Sequence, residues 1–351
     1  MAYTELLTSH SLTAEQFDEQ LFTTYIGQLQ WKNFMGTSTN SIIQIKDDLT
    51  KKPGDAITVG LRGEAIGGTV TGNAKGIGNE GRVDFFGQRI VIDNVRHLVK
   101  VEDVPMTTQR VGWDVLMHVK EALADKAAEN LDDEITTQLS DTATGRVRGK
   151  YLYGAADSNW QAVHATALTA VDNTNDQLTT NMIDICKRKA TLNSGGNLAQ
   201  AKIRPMKIVN GKNVEEWFCF HAHPLAIRDM VTNDAAWRNA QLNLPPGSNQ
   251  SSPIFSGSWF KGAWNGTLIY EYERINLVSS TIQVSHNLFL GAQAAAICWG
   301  QRSKFNEEYS DLGHAVSFEQ HEIRGIAKLA FDRSTVEDHG VVHCFSAAVA
   351  D

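Results

Sequence analysis

The sequence predicts an α+β protein, and three observations carry that expectation. Stretches of period-two hydrophobicity flank a glycine-rich span between residues 55 and 101, a long run of apolar residues at helical spacing occupies 107–140, and the chain ends in strand-like segments. The 351 residues, 42% hydrophobic and 21% charged with only 7 prolines, hold the apolar mass of about two domains and exclude a largely disordered chain. No run approaches the roughly 20 apolar residues of a membrane helix, and the opening MAYTELLTSHSLTAEQ has neither the basic nor the apolar region of a signal peptide. Synthesis and folding in the cytoplasm are therefore expected, without a membrane partner. A net charge of −8 argues against affinity built on neutralising phosphates, so direct nucleic-acid binding is not expected.

Residues 13–30 carry a helix start: Thr13 as N-cap, Gln16 completing a capping box, and Leu12 placed to staple onto Phe17. Phe17, Leu21, Tyr25 and Leu29 then repeat every four residues, an apolar stripe that must lie against its own subunit or a neighbour. From Asp55, Ile57, Val59 and Leu61 alternate outward, and Ile90, Ile92, Leu98 and Val101 mark the return, which predicts one long antiparallel hairpin. Its far part holds eight glycines between residues 60 and 81 and few bulky side chains. Two arms of about 20 residues could reach on the order of 65 Å. A ribbon so poor in apolar groups cannot stabilise itself in water and needs a partner surface.

Val111, Val115, Val119, Leu123, Ala127, Leu131, Ile135 and Leu139 predict a helix over 107–140, roughly 50 Å long, with an acidic flank of Glu121, Asp125, Glu129, Asp132, Asp133 and Glu134 read as a solvated face. A mixed region follows, with helices at 180–192 and 224–231 and strands at 216–220, 267–273 and 288–291. A Pro-, Ser- and Gly-rich loop spans 242–264, and strands at 316–331 and 340–349 are expected to return beside the long helix.

The chemistry-bearing motifs are few. Gly76-Ile77-Gly78-Asn79-Glu80-Gly81 fits GxGxxG, but a dinucleotide site needs a strand before it and a helix after it, and the residues following it alternate like a strand. His221 and His223 form an HxH pair whose spacing would put both imidazoles on one strand face, as in some metal hydrolases. His286, His314, His321, His339 and His343 could complete such a site, but only His339 and His343 stand at a recognisable ligand spacing, i and i+4, which matters only on a helix, and Gly340, Val341 and Val342 argue against a helix there. Cys186, Cys219, Cys298 and Cys344 are spread singly, with no CxxC, and are expected to be buried small hydrophobes. No GxSxG elbow or phosphate loop occurs. No cofactor, metal or catalytic residue is assigned.

Motifs along the whole chain bear a resemblance to a known family. They include Trp31, Phe34 and Gly36 in WKNFMG, Asp48-Leu49, Lys52-Pro53-Gly54-Asp55, Asn79-Glu80-Gly81, Ile92-Asp93 with Arg96-His97, Gln109-Arg110, and Ile203-Arg204-Pro205. They continue with His223-Pro224 before Arg228-Asp229, Trp237, Pro253-Ile254-Phe255, Gly291-Ala292-Gln293-Ala294, Asp311 with Gly313, Gly325 with Lys328, and Gly340-Val341. In their order and spacing these resemble the major capsid proteins of tailed phages of the N-four-like type, a branch of the Hong Kong 97-type capsid fold. The resemblance implies an N-terminal arm at 1–53, an extended E-loop hairpin at 54–96, and a P-domain at 97–165 with its spine helix at 107–140. It further implies an A-domain at 166–304 and returning P-domain strands at 305–351. No lysine and asparagine arrangement marks the covalent cross-linking of one branch of the fold.

The function so implied is that of a shell subunit, made in the bacterial cytoplasm and resident in the virion. It would associate with itself in pentamers and hexamers around double-stranded DNA, with a portal and cement or scaffolding proteins as further partners. Contacts between subunits are expected at Phe17 and Leu21 of the first helix and at Arg62, Gly67, Gly68, Lys75, Glu80 and Arg82 of the hairpin. The acidic balance suits a container wall that should not hold its DNA tightly. The competing expectations are a cytoplasmic metal-dependent hydrolase using His221, His223 and carboxylates such as Asp229, and a decoration or scaffolding protein.

Overall fold

The computed structural model describes residues 30–47, 54–66, 69–73, 75–111, 115–142, 149–164, 168–192, 202–210, 213–242, 259–332 and 336–349. The helix expected at 13–30, and with it Phe17 and Leu21, lies outside these residues except for Gln30, which opens a 3-10 turn, Gln30–Phe34. The strands and helices follow as β1 (Met35–Gly36), β2 (Ile43–Lys46), β3 (Ala56–Ile66), β4 (Arg82–Val91), β5 (Asp93–Val101), α1 (Val104–Arg110), α2 (Val115–Leu139), β6 (Tyr151–Tyr153) and β7 (Trp160–Gln161). The middle of the chain supplies α3 (Thr180–Thr191), β8 (Met206–Asn210), β9 (Asn213–Ala222), α4 (Pro224–Asn233), α5 (Ala235–Leu242), β10 (Phe260–Trp264), β11 (Thr267–Glu271), β12 (Leu277–Ser279) and β13 (Gln283–Leu290). The end supplies β14 (Ala295–Ser310), β15 (Ala315–Lys328), β16 (Ala330–Asp332), β17 (Val336–Asp338) and β18 (Val341–Ala347).

Two large sheets organise the described chain. One has nine strands in the order β10-β11-β9-β13-β18-β6-β7, with β12 on β13 and β8 on β9; the other has five, β1-β2-β14-β15-β5. β18 is buried at every residue and β13 at every residue but its first, because both are interior strands with covered faces, which is why they read as continuous apolar runs rather than as alternation. α3 and α4 cover one face of the nine-stranded sheet through Met182, Ile183, Cys186, Ile227 and Met230, packed against Phe218, Phe220, Phe289 and Val342. The four cysteines are all buried free thiols, as expected.

The long helical stretch is two helices. Val111 is extended at φ −116°, ψ 128°, ending α1 before Gly112, and α2 resumes at Val115. Its buried stripe keeps the expected i+4 spacing: Val115, Leu123, Ala127, Ile135 and Leu139. Leu123 meets Val101, Val316 and Phe318 of β5 and β15, while Ile135 and Leu139 join Trp31, Ile43, Ile297 and Ile326. Part of the acidic flank meets the chain's own cations: the buried Arg324 reaches Glu134 at 2.9 Å and Arg274 bonds Asp133, while Lys120 of the helix itself bonds Glu307 of β14 at 2.9 Å.

The returning tail divides between the sheets. β15 lies beside α2 as expected, but β18 is inserted between β13 and β6. The sheets therefore do not divide at residues 166 and 304: β6, β7 and β18 join the nine-stranded sheet from outside that interval, and β14 crosses residue 304 within the five-stranded one. The outer half of β14 carries polar residues on both faces, so it has no period-two signal; pairing with β15 makes it a strand.

Candidate subunit-contact surface

The predicted hairpin exists but is shorter than expected. Its return strand is β4 alone, because at Asp93 the chain turns into the five-stranded sheet, where β5 pairs with β15 over nine residues. The eleven residues of β3 span about 35 Å. The base of the hairpin also docks at home: Ile57, Val59, Leu61 and Ile90 pack against Ala296, Cys298, Leu329 and Phe331. Gln88 pins this seam, donating to the Lys328 carbonyl at 3.0 Å and accepting from the Ala330 N–H at 2.6 Å. The partner surface that the ribbon was expected to need is thus supplied, for its proximal half, by its own subunit.

The other face of the hairpin is exposed. Alternation along β4 turns Phe86, Gln88 and Ile90 inward and leaves Val83, Phe85, Arg89 and Val91 outside, with Phe85 75% and Val91 60% exposed. Gly60 and Gly87 pair across the ladder between them, and a Cβ at Gly60 would meet nothing within 4 Å. The result is an apolar stripe interrupted by bare backbone, against which another chain could approach closely. Phe85 and Phe86 are consecutive in an alternating strand, so one of the two must face out, a signal local to the sequence.

Past the strands, every residue of 69–73 and 75–81 is exposed. Gly72 and Gly78 stand at φ 66° and 92°, in the left-handed region where glycine is unstrained. Glu80 is committed within this turn, accepting from the Gly78 N–H at 2.8 Å, while the Asn79 side chain donates to the Lys75 carbonyl at 2.9 Å. Of the expected contact residues, Lys75 and Glu80 therefore lie together at the exposed tip. Arg62 pairs with Phe85 and Arg82 with Ile66 in the ladder, their side chains outside the described residues, and Gly67 and Gly68 also lie outside. A second exposed apolar group, Phe305, Tyr309 and Leu312, marks the far end of β14 and β15.

The GxGxxG motif is the hairpin tip followed by strand β4, so the helix a pyrophosphate would need does not follow it. The HxH pair is also parted. His221 is wholly buried between Trp31, Phe34 and Tyr270, with ring centroids at 4.5, 5.0 and 5.2 Å, and burial pushes its pKa down to about 3. His223 caps α4, its Nδ1 accepting from the Leu225 N–H at 3.2 Å. Asp229 pairs with Arg228 at 2.9 Å. Among the described residues no group of three or more His, Cys, Asp or Glu is placed to hold a metal, and no helix is long and apolar enough to cross a membrane. Replacing the cap, His223→Ala, should cost about 1 kcal/mol, read as a lower urea midpoint. A change larger than about 3 kcal/mol would contradict a capping role.

The fold is that of tailed-phage capsid proteins of the Hong Kong 97 type. The capsid of Ralstonia phage GP4 superposes with a TM-score of 0.78 at 21% identity, covering 99% of both chains. The cyanophage Pam1 capsid asymmetric unit gives 0.77 at 22% identity over 100% of both. The capsid of Helicobacter pylori bacteriophage KHP30 gives 0.72 at 12% identity, covering 99% of this chain and 98% of that one. No curated protein matches by sequence. Residues 7–350 match the phage capsid protein family, Phage_capsid_3, and the chain belongs to that family. It is a phage capsid protein, a structural component of the virion.

Proposed function

We propose that this chain is a member of the N-four-like branch that closes its shell by giving the outer face of its hairpin to a neighbouring copy. The observation that carries this reading is the stripe of Val83, Phe85 and Val91 beside the Gly60 and Gly87 pair, apolar and left uncovered by the described residues. The exposed tip with Lys75 and Glu80 extends the same surface, Arg62, Arg82, Gly67 and Gly68 of the hairpin are assigned to it from the sequence, and Phe17 and Leu21 are assigned to a separate contact made by the first helix. On this reading residues 54–96 act as the E-loop, 97–165 and 305–351 form most of the P-domain around a spine helix within 107–140, and 166–304 most of the A-domain.

Contacts of this kind are heterologous and close around five-fold and quasi-six-fold axes. Each can be modest, because a subunit held by several neighbours rebinds at high effective concentration. The enclosed cargo is double-stranded DNA held without sequence-specific contacts, and portal and cement or scaffolding proteins are the further partners. Light scattering and negative-stain microscopy of the purified chain test the reading. Megadalton closed particles are expected. A chain that stays monomeric and binds only to shells made by another protein would make it a decoration protein instead.

A further inference from the structure

Where the two large sheets meet, the chain buries a line of polar groups that takes no part in the contact surface. Lys328 ends β15 with its side chain fully buried. An ammonium has three N–H donors, and three acceptors stand around it: Asp338 Oδ2 at 3.2 Å, His343 Nε2 at 2.9 Å, and the backbone carbonyl of Asp141, just beyond α2. His343, on β18, places its Nδ1 2.8 Å from Nε2 of His286 on β13. Because the ammonium only donates, His343 must accept at Nε2 and carry its proton on Nδ1. That proton points at His286, which must carry its own on Nδ1.

A carboxylate also faces His343, Asp338 Oδ2 standing 3.6 Å from its Nε2, but that oxygen is already engaged by Lys328 at 3.2 Å. Lys150 donates to the Asp338 carbonyl at 3.0 Å, and the Tyr151 ring stacks on His343 at 5.1 Å. Tyr153 bonds His164 at 2.7 Å, and Phe345 stacks on His286 at 4.5 Å. Ser285, Asn287 and Ser346 form a neutral buried network on the same two strands. Burial, with His343, Lys328 and His164 nearby, holds His286 well below the ordinary histidine range.

We propose that the line Asp338, Lys328, His343, His286 is a pH-sensitive joint that locks the five-stranded sheet to the nine-stranded one, closed while both histidines are neutral and released in acid. A proton on His343 Nε2 would remove an acceptor from Lys328 and set a second cation against it. A proton on His286 Nε2 would oppose the His343 Nδ1–H. Either event requires Lys328 to withdraw, and with it goes the link between β15, β17, β18 and the end of α2. The opened state binds protons with the ordinary histidine pKa of about 6.5; in the closed state burial and the neighbouring cations hold His286 below that value, and the Nε2 lone pair of His343 is already taken by Lys328. Opening is therefore independent of pH above that value and rises below it by up to about tenfold per pH unit for each histidine. The joint lies within one subunit, so it acts in the free chain and in the shell alike.

Hydrogen exchange followed by mass spectrometry, from pH 7.5 to 5.0 and corrected for intrinsic rates, tests this on both unassembled chain and particles. Amides of 341–347 and 328–332 should exchange at least tenfold faster at pH 5.5 than at 7.5, while those of α3 hold their protection. His343→Gln, which keeps an acceptor for Lys328 and a donor for His286 but does not titrate, should halve the logarithmic slope. Should that variant not fold, exchange at the histidine C2–H in the wild-type chain reads each ring directly. His286 and His343 must then titrate together with the opening of 341–347. Unchanged exchange across the range, loss of protection throughout the chain at one pH, or titration of either ring near 6.5 with 341–347 still protected would overturn the proposal.

Discussion

Replacing residues 63–81 by a short Asn-Gly turn should leave a chain that folds but closes no shells. The packing that holds the hairpin base belongs to Ile57, Val59, Leu61, Gln88 and Ile90, all outside the deletion. Within it, every described residue from 69 on is exposed, Ile77 at 89%. Surface residues of this kind shift stability by about 0.5 kcal/mol or less each. Shortening the connection lowers the entropy of closing it, a gain of about 1 kcal/mol by loop-length scaling. The thermal midpoint of the unassembled chain should therefore move by only a few degrees, while the megadalton species disappears from light scattering. Normal particles after the deletion would remove the tip from the assembly surface, and an unfolded chain would show that the tip holds its own subunit together.

His221→Phe should give the largest gain in acid stability of any single change outside the Lys328 joint. Neither nitrogen of His221 has a hydrogen-bond partner among the described residues, so the folded chain holds the ring neutral with its pKa at about 3. Unfolded, the same ring takes a proton at about 6.5. Above that pH both states are neutral and His221 contributes no slope. Below it the unfolded state binds a proton that the folded state refuses, and stability falls by about 1.4 kcal/mol per pH unit until the folded pKa is reached. At pH 4 the wild-type chain has lost about 3 kcal/mol through this residue. Phenylalanine fits the same aromatic setting of Trp31, Phe34 and Tyr270 and has no proton to bind. Urea unfolding of the unassembled chain at pH 7 and pH 4 should show that loss in the wild type and not in the variant, beyond what His286 contributes to both. Equal losses in the two proteins would place the acid sensitivity elsewhere.

What the sequence revealed and what it hid follow from how far apart the determining residues lie. The stripe from Val115 to Leu139, the start of α4 at Pro224 and the strands at β9, β11 and β15 carry their signal within a dozen residues, where periodicity and turn chemistry decide the outcome. The break after α1 sits beside Gly112, and a single glycine in a helical pattern is ambiguous. β5 alternates as well as any return strand of a hairpin; its pairing with β15, some 220 residues later, decides where it belongs. The polar joint was invisible for the same reason. His286, Lys328, Asp338 and His343 come from four strands, and no local spacing links them. The contact surface was half legible: glycine content located the tip, while the outward stripe of β4 required knowing which face the base of the hairpin buries at home.

Phe85 gives the most direct measurement of the central claim, that the outer face of the hairpin is completed by another copy of the chain. Its ring is three-quarters exposed within its own subunit, so hydroxyl-radical footprinting should label it readily in the unassembled chain. In purified particles its labelling should fall at least tenfold, along with that of Val83 and Val91, while the already buried Ile57 and Ile90 stay unchanged. Equal labelling of Phe85 in the free chain and in the closed shell would contradict the account.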